Sequence, residues 1–219
     1  MSEIDVVKFA GILYGDGYLS KGGSLCFHHS VIQQEYAEYK AKYCLENFGL
    51  KSSKKIIKKR ENSFSTNDGI HFSFCVKNWT KELRNQWYDD SGKSVPASIL
   101  ELFGWEQWAF LYQDDGRQNK IGHVNSMASG VRTRVEMPPS VNRYEICLGY
   151  STDEELEALM KSLSSLGVGS SILVRKDGQR NLSISRAKDK ITFYENILPL
   201  LHPSMLYKMN VPPTFRYGM

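Results

Sequence analysis

The chain has 219 residues, with 28 Lys+Arg against 24 Asp+Glu, a net charge of +4 and 41% hydrophobic residues. It is too apolar for a disordered chain, its longest apolar run near the N-terminus (residues 9–14) is too short to span a bilayer, and Asp16 interrupts the layout of a secretory signal. Cysteines at 26, 44, 75 and 147 give neither a disulfide scaffold nor a CxxC pair for zinc, so a soluble, intracellular protein of a reducing compartment is expected.

Asp5 is placed to cap a first helix through Tyr14, with Val6, Phe9, Ile12 and Leu13 at helical spacing and Gly17 as its stop. Residues 18–29 read as a hairpin turning at Gly22-Gly23. Ser30 caps a long helix over 31–48, ended by Gly49. Two basic strands follow, near 53–60 and 70–77, split at Asn67-Asp68-Gly69, and a helix over 78–87 closes the round. After Pro96 comes a helix over 106–114 that stops at Gly116, then a strand-rich stretch over 120–150 broken by Pro138-Pro139. Thr152 and Glu155 form a capping box for a helix running to Gly167. Strands near 170–176 and 181–186 flank Asp177-Gly178, and a last helix over 188–200 ends before Pro203. The order is αββαββα in outline, played twice, which predicts an α+β fold of two antiparallel sheets. The expected division is 1–92, a linker at 93–104, and 105–219.

Charge supports the duplication. Cut after Phe103, each half carries 14 Lys+Arg and 12 Asp+Glu. The basic residues gather on predicted strands: six lie in residues 51–60, and Arg117, Lys120, Arg132 and Arg134 lie in an acid-free stretch. Acids such as Asp153, Glu154, Glu155 and Glu157 gather on helices. A sheet with one face on a polyanion produces this segregation.

The two opening helices align without gaps. One reads FAGILYGDG, ending at Gly17; the other reads WAFLYQDDG, ending at Gly116. Each places an acid before the glycine, Asp16 and Asp115, 99 residues apart. With two copies, each opening a round of strands, the chain resembles the LAGLIDADG homing endonucleases in their single-chain, two-motif form. KSVPASILELFGWEQWAFLYQDDG is similar to the repeat junction of the intron-encoded subgroup, and SMLYKMN to its C-terminal end. The resemblance implies a DNA-binding saddle and double-strand cleavage of a long, asymmetric target to leave 3′ overhangs. It also implies a monomer, and lysines near each metal site, here Lys93 and Lys208.

Side by side, the two helix ends would bring Asp16 and Asp115 together with free carbonyls and partial negative charge. Such hard oxygen donors suit Mg²⁺, and two or three shared ions would activate water and stabilise a leaving 3′ oxygen. The Gly15 and Asp114 carbonyls are candidate extra ligands, while Lys93 and Lys208 would meet charge building on the phosphate. His28-His29 alternates on a strand, so the two are not expected to chelate one metal. The second motif carries Phe110 and Asp114 where the first has Gly11 and Gly15, which predicts an asymmetric helix contact. DNA-facing candidates are Lys54, Lys58, Arg60, His71 and Ser73 in the first round, with Arg117, Arg132, Arg134, Arg175, Arg180 and Arg186 in the second. Strand register decides which of them face the groove. The alternatives are an RNA maturase acting on intron RNA and a non-cleaving DNA-binding protein on the same scaffold. An intein is not expected, because the Met1-Ser2 start and Tyr217-Gly218-Met219 end lack the residues of splicing.

Overall fold

The structure, a computed structural model, describes residues 3–59, 67–90, 92–120 and 141–209. Helix α1 (Glu3–Tyr14) leads into strands β1 (Gly17–Leu19) and β2 (Leu25–Ser30), helix α2 (Gln34–Phe48), strands β3 (Ser52–Ile57) and β4 (Gly69–Phe74), and helix α3 (Asn78–Gln86). A short ladder, β5 (Tyr88–Asp89) with β6 (Gly92–Lys93), and the one-turn helix α4 (Ala97–Leu100) lead to the second round. That round comprises α5 (Trp105–Asp115), β7 (Gly116–Lys120), β8 (Val141–Cys147), α6 (Asp153–Ser165), β9 (Ser171–Val174), β10 (Arg180–Ile184) and α7 (Ala187–Ile197). Two 3₁₀ turns follow, Leu198–Leu200 and Pro203–Met209.

The repeated order gives two sheets of the same topology. The first runs β1-β2-β4-β3 and the second β7-β8-β10-β9, each antiparallel at every described pairing. Alternation sends one face of each sheet to the core. Leu25, Phe27, Ile70, Phe72 and Phe74 do so in the first, and Tyr144, Ile146, Leu182 and Ile184 in the second. One hydrophobic cluster runs through both rounds, so the sheets share a core instead of closing two separate ones. β3 is exposed at every residue, and its lysines blunt an edge that would otherwise invite pairing.

Several boundaries differ from the sequence reading. α1 begins at Glu3, which puts Asp5 in its first turn. Ser30 precedes a 3₁₀ turn (Val31–Gln33) and makes no side-chain cap, because α2 proper starts only at Gln34. Gly49 ends α2 with φ 63°, the left-handed cap a glycine adopts without strain. The α6 capping box forms as expected: Glu155 N donates to Thr152 Oγ1 (3.2 Å) and Thr152 N donates to Glu155 Oε2 (2.8 Å). The other oxygen of Glu155 accepts from Val95 N at 2.9 Å and so ties the segment between the rounds to α6.

The helices α1 and α5 pack against each other along their motifs. A Cβ on Gly11 would lie 2.8 Å from Gln107 Cγ and 3.0 Å from its Cα, so the two backbones touch there. Phe110 does not sit over Gly11. It turns to α2, stacking on Tyr39 and meeting the Tyr43 ring edge-on. Asp114 does face Gly15, where a Cβ would lie 2.5 Å from Asp114 Oδ2. The absent side chain of Gly15 is the space that Asp114 occupies.

Candidate active site

The last turn of a helix leaves carbonyls without donors. Lys93, on β6, supplies them to α1: its Nζ donates toward the carbonyls of Leu13 (2.7 Å), Tyr14 (2.8 Å), Gly15 (3.1 Å) and Gly17 (3.0 Å). Lys208, in the 203–209 turn, donates to the Asp114 carbonyl at 2.8 Å and caps α5 likewise. The expected metal-ligating carbonyls of Gly15 and Asp114 each accept a lysine hydrogen bond. Burial lowers the Lys93 ammonium to about 8 against the opposing pull of Asp115, Asp114 and Asp16. Burial lowers Lys208 in the same way.

The three acids at the helix ends differ in kind. Asp114 has no exposed side-chain surface: Oδ1 accepts from Tyr36 Oη (2.8 Å), and Oδ2 accepts from Lys40 Nζ (2.7 Å) and from Asp16 N (3.0 Å). Burial opposes its ionisation, but the Lys40 ammonium and these hydrogen bonds win and hold it below the ordinary carboxylate range. Asp16 is 39% exposed on its side chain. Desolvation and the neighbouring charge of Asp114 still raise its pKa to about 7. Asp115, raised by burial and by Asp114 to about 6, lies 3.1 Å from the Tyr150 hydroxyl. That hydroxyl also lies 2.8 Å from the Tyr14 carbonyl, so it links the end of α1 to the acid of α5.

His29 completes the Asp16 side. Its Nδ1 is 3.4 Å from Asp16 Oδ2, and its buried Nε2 has no hydrogen-bond partner among the described residues. Burial, then Lys40, lowers its pKa to about 4 and keeps the ring neutral. Among the described residues, ligand atoms of Asp16, His29 and Asp114 lie within 4.8 Å of one another. Lys40, Tyr36 and Tyr150 were not picked out from the sequence, and His29 only as one of a strand pair not expected to chelate one metal. Only His29 carried a local signal, since strand alternation gives it one face and His28 the other.

The faces of the sheets away from the helices carry mostly polar residues, and register sorts the predicted contacts. His71 pairs with His28, and Ser73 with Cys26, on that open face. Lys54 pairs with Phe72 and therefore points to the helix side, where it meets Glu38 of α2 at 2.7 Å. Lys55, opposite His71, takes the open face in its place. Lys58 is exposed and bonded to Asp68 at 3.0 Å. Arg117 lies on the open face opposite Glu145. Arg180 lies on the other, with Leu182 and Ile184, and bonds to Asp153 and to the Ser151 carbonyl at the start of α6. A one-residue step reverses a strand side chain, which is why Lys54 and Arg180 take the helix side and their chain neighbours the open face. Arg175 continues the open-face parity of Ser171 and Leu173, with Asp177 at 4.0 Å. Arg186 is the residue before α7, at its N-cap. Arg60, Arg132 and Arg134 lie outside the described residues. Arg143, absent from the sequence candidates, is on the open face two residues from Glu145.

Residues 8–191 match the model of the LAGLIDADG DNA endonuclease family. The chain belongs to that family. No curated protein matches its sequence. Among solved structures, this LAGLIDADG protein is similar to the homing endonuclease I-WcaI bound to its DNA recognition sequence. The TM-score is 0.71 and the identity 17%, over 95% of this chain and 86% of that one. It is also similar to I-DmoI in complex with DNA and Mn, at TM-score 0.52 and 17% identity, over 90% of this chain and 97% of that one. A third likeness is full-length DUF199/WhiA from Thermatoga maritima, at TM-score 0.53 and 16% identity, over 100% of this chain and 62% of that one. These likenesses show that the LAGLIDADG chain has the two-sheet fold. No helix among its described residues is long and apolar enough to cross a membrane.

Proposed function

We propose that this chain is a site-specific, double-strand DNA endonuclease, acting as a monomer on a long asymmetric target and leaving 3′ overhangs. The observation that carries the reading is the pair of motif acids, Asp16 and Asp115, at the adjoining ends of two packed helices between two matching sheets. The open faces of those sheets offer His71, Ser73, Lys55, Arg117 and Arg143 to a duplex. Two unlike sheets suit a target without a palindrome.

A divalent cation fits the donor set. Asp16 and Asp115 carry raised pKa values, caused by burial and crowded negative charge, and a cation relieves both. Carboxylate oxygens with water and phosphate oxygens are the ligands Mg²⁺ prefers, and I-DmoI has been solved with Mn, Mg and Ca. Bound there, the ion would lower the pKa of attacking water and offset charge on the leaving oxygen. The chain's own residues do the rest. Asp16 and Asp115 would hold the ions, one at each strand. Lys93 and Lys208 place ammonium charge beside the helix ends, where negative charge grows on the phosphate in the transition state. Tyr150 orients Asp115, and neutral His29 walls the Asp16 carboxylate. The Asp114 carboxylate, enclosed by Lys40 and Tyr36, serves as a strut and not as a ligand.

A second reading, a non-cleaving nucleic-acid binder on this scaffold, draws on Lys40. Its ammonium already neutralises one acid of the cluster, which weakens the pull on an external cation. One experiment separates the two. The purified chain is incubated with a plasmid library carrying a randomised insert, with Mg²⁺ or with EDTA, and new ends are sequenced. An endonuclease gives linear product cut at one asymmetric motif in Mg²⁺ alone. Enrichment of bound DNA without any double-strand ends selects the second reading.

A further inference from the structure

An acid sits in the middle of the basic open face of the second sheet. Glu145, on β8, is 1% exposed on its side chain. It is opposite Arg117 of β7 on one side and Ser183 of β10 on the other. Its Oε2 accepts from Arg117 Nε (2.9 Å), Arg117 Nη2 (2.5 Å) and Asn181 Nδ2 (3.2 Å). Its Oε1 accepts from Arg143 Nε (2.5 Å). A carboxylate on a surface meant for a polyanion would repel it if exposed. This one is covered by two guanidinium groups, and the three residues together carry a net charge of +1.

The bonds to Glu145 use particular donors. A guanidinium has five N–H groups in a rigid fork. Arg143 spends only its Nε hydrogen here, and Arg117 spends Nε and one hydrogen of Nη2. Among the described residues both keep the outer Nη1–Nη2 edge, the edge whose spacing matches O6 and N7 of guanine in the major groove. The acid fixes the plane of each fork, so little side-chain freedom remains to be lost when a base is met. A phosphate needs no such bracing, because a flexible cation satisfies it.

We infer that Arg117 and Arg143, braced by Glu145, are specificity-determining residues that read guanines in the half-site beneath the second sheet. Glu145 is a positioning residue: its accepting positions are engaged within the protein, and it acts through the arginines. The inference rests on the reading that this face meets a DNA duplex.

The test is a selection from a randomised duplex pool by the full chain in Ca²⁺, repeated with Glu145→Gln, Arg143→Ala and Arg117→Lys. Wild type should enrich an asymmetric motif with guanine at positions in one half. Glu145→Gln should flatten the guanine preference there by about tenfold per contact, while the lost negative charge raises affinity for unselected DNA. Arg117→Lys keeps the charge and loses the fork, so it should lose one guanine preference only. Unchanged base preferences in Glu145→Gln, or wild-type positions that ignore both arginine variants, overturn the inference while the endonuclease reading stands. A wild type that enriches no motif overturns both.

Discussion

Lys40 of α2 and Asp114 of α5 form an ion pair, with Nζ 2.7 Å from Oδ2 and no exposed side-chain surface on either. The pair joins the first round of the fold to the second motif, and the same carboxylate oxygen accepts the amide of Asp16. A buried carboxylate is tolerated only with its partners in place. Lys40→Met should therefore destabilise the protein by about 3–5 kcal/mol, read from chemical denaturation. Combining it with Asp114→Asn removes the stranded charge and should recover part of that loss. Additive losses in the double variant would show that the two residues do not act as a pair.

Gly15 is required by Asp114 and not by its own backbone angles. Gly15→Ala places a Cβ 2.5 Å from Asp114 Oδ2 and should cost about 1–3 kcal/mol through overpacking. In an Asp114→Gly background, which removes the Asp114 Cβ at 2.7 Å as well as the carboxylate, the same substitution should cost much less, as thermal denaturation of the four proteins will show.

In the proposed endonuclease the two motif acids serve cleavage and not DNA binding. Asp16→Asn or Asp115→Asn should abolish double-strand cleavage of the selected target while DNA binding persists. Gel assays for linear product and for bound DNA measure both. Wild-type rates of linearisation in either variant would sink the assignment.

The same substitution has a pH signature in stability. The Asp16 pKa rises from 3.8 unfolded to about 7 folded. Between those values the folded chain holds more protons, so ionisation costs stability as pH rises through the window. Asp16→Asn removes that cost. In metal-free protein it should raise Tm above neutral pH, with the gain fading toward about pH 4. Partial exposure of Asp16 keeps the effect small.

On the proposed function, protons and cations compete for these acids. Mg²⁺ affinity should fall as pH drops through about 7 and about 6, the values to which Asp16 and Asp115 are raised. Calorimetry in buffers of different ionisation enthalpy should detect proton release on binding, most of it near neutral pH.

The sequence by itself determined the duplication. Matched motifs, turn glycines and the Thr152–Glu155 capping box are local signals, and each element they mark is present in the fold. Asp16 and Asp115 were legible for the same reason, because each ends a helix that the apolar spacing defines. Register was decided only by tertiary structure. Lys54 and Lys55 are neighbours of equal charge, and nothing local says which one faces out; pairing with Phe72 turns Lys54 to the helices. The surroundings of the acids were equally hidden. Lys40 and Tyr36 on α2, and Tyr150 after β8, come from segments far apart in the chain, and only the packing of α1 on α5 brings them to one place. Helix ends and turns are written within a few residues, whereas a buried charge is made tolerable by partners that the folded chain alone assembles.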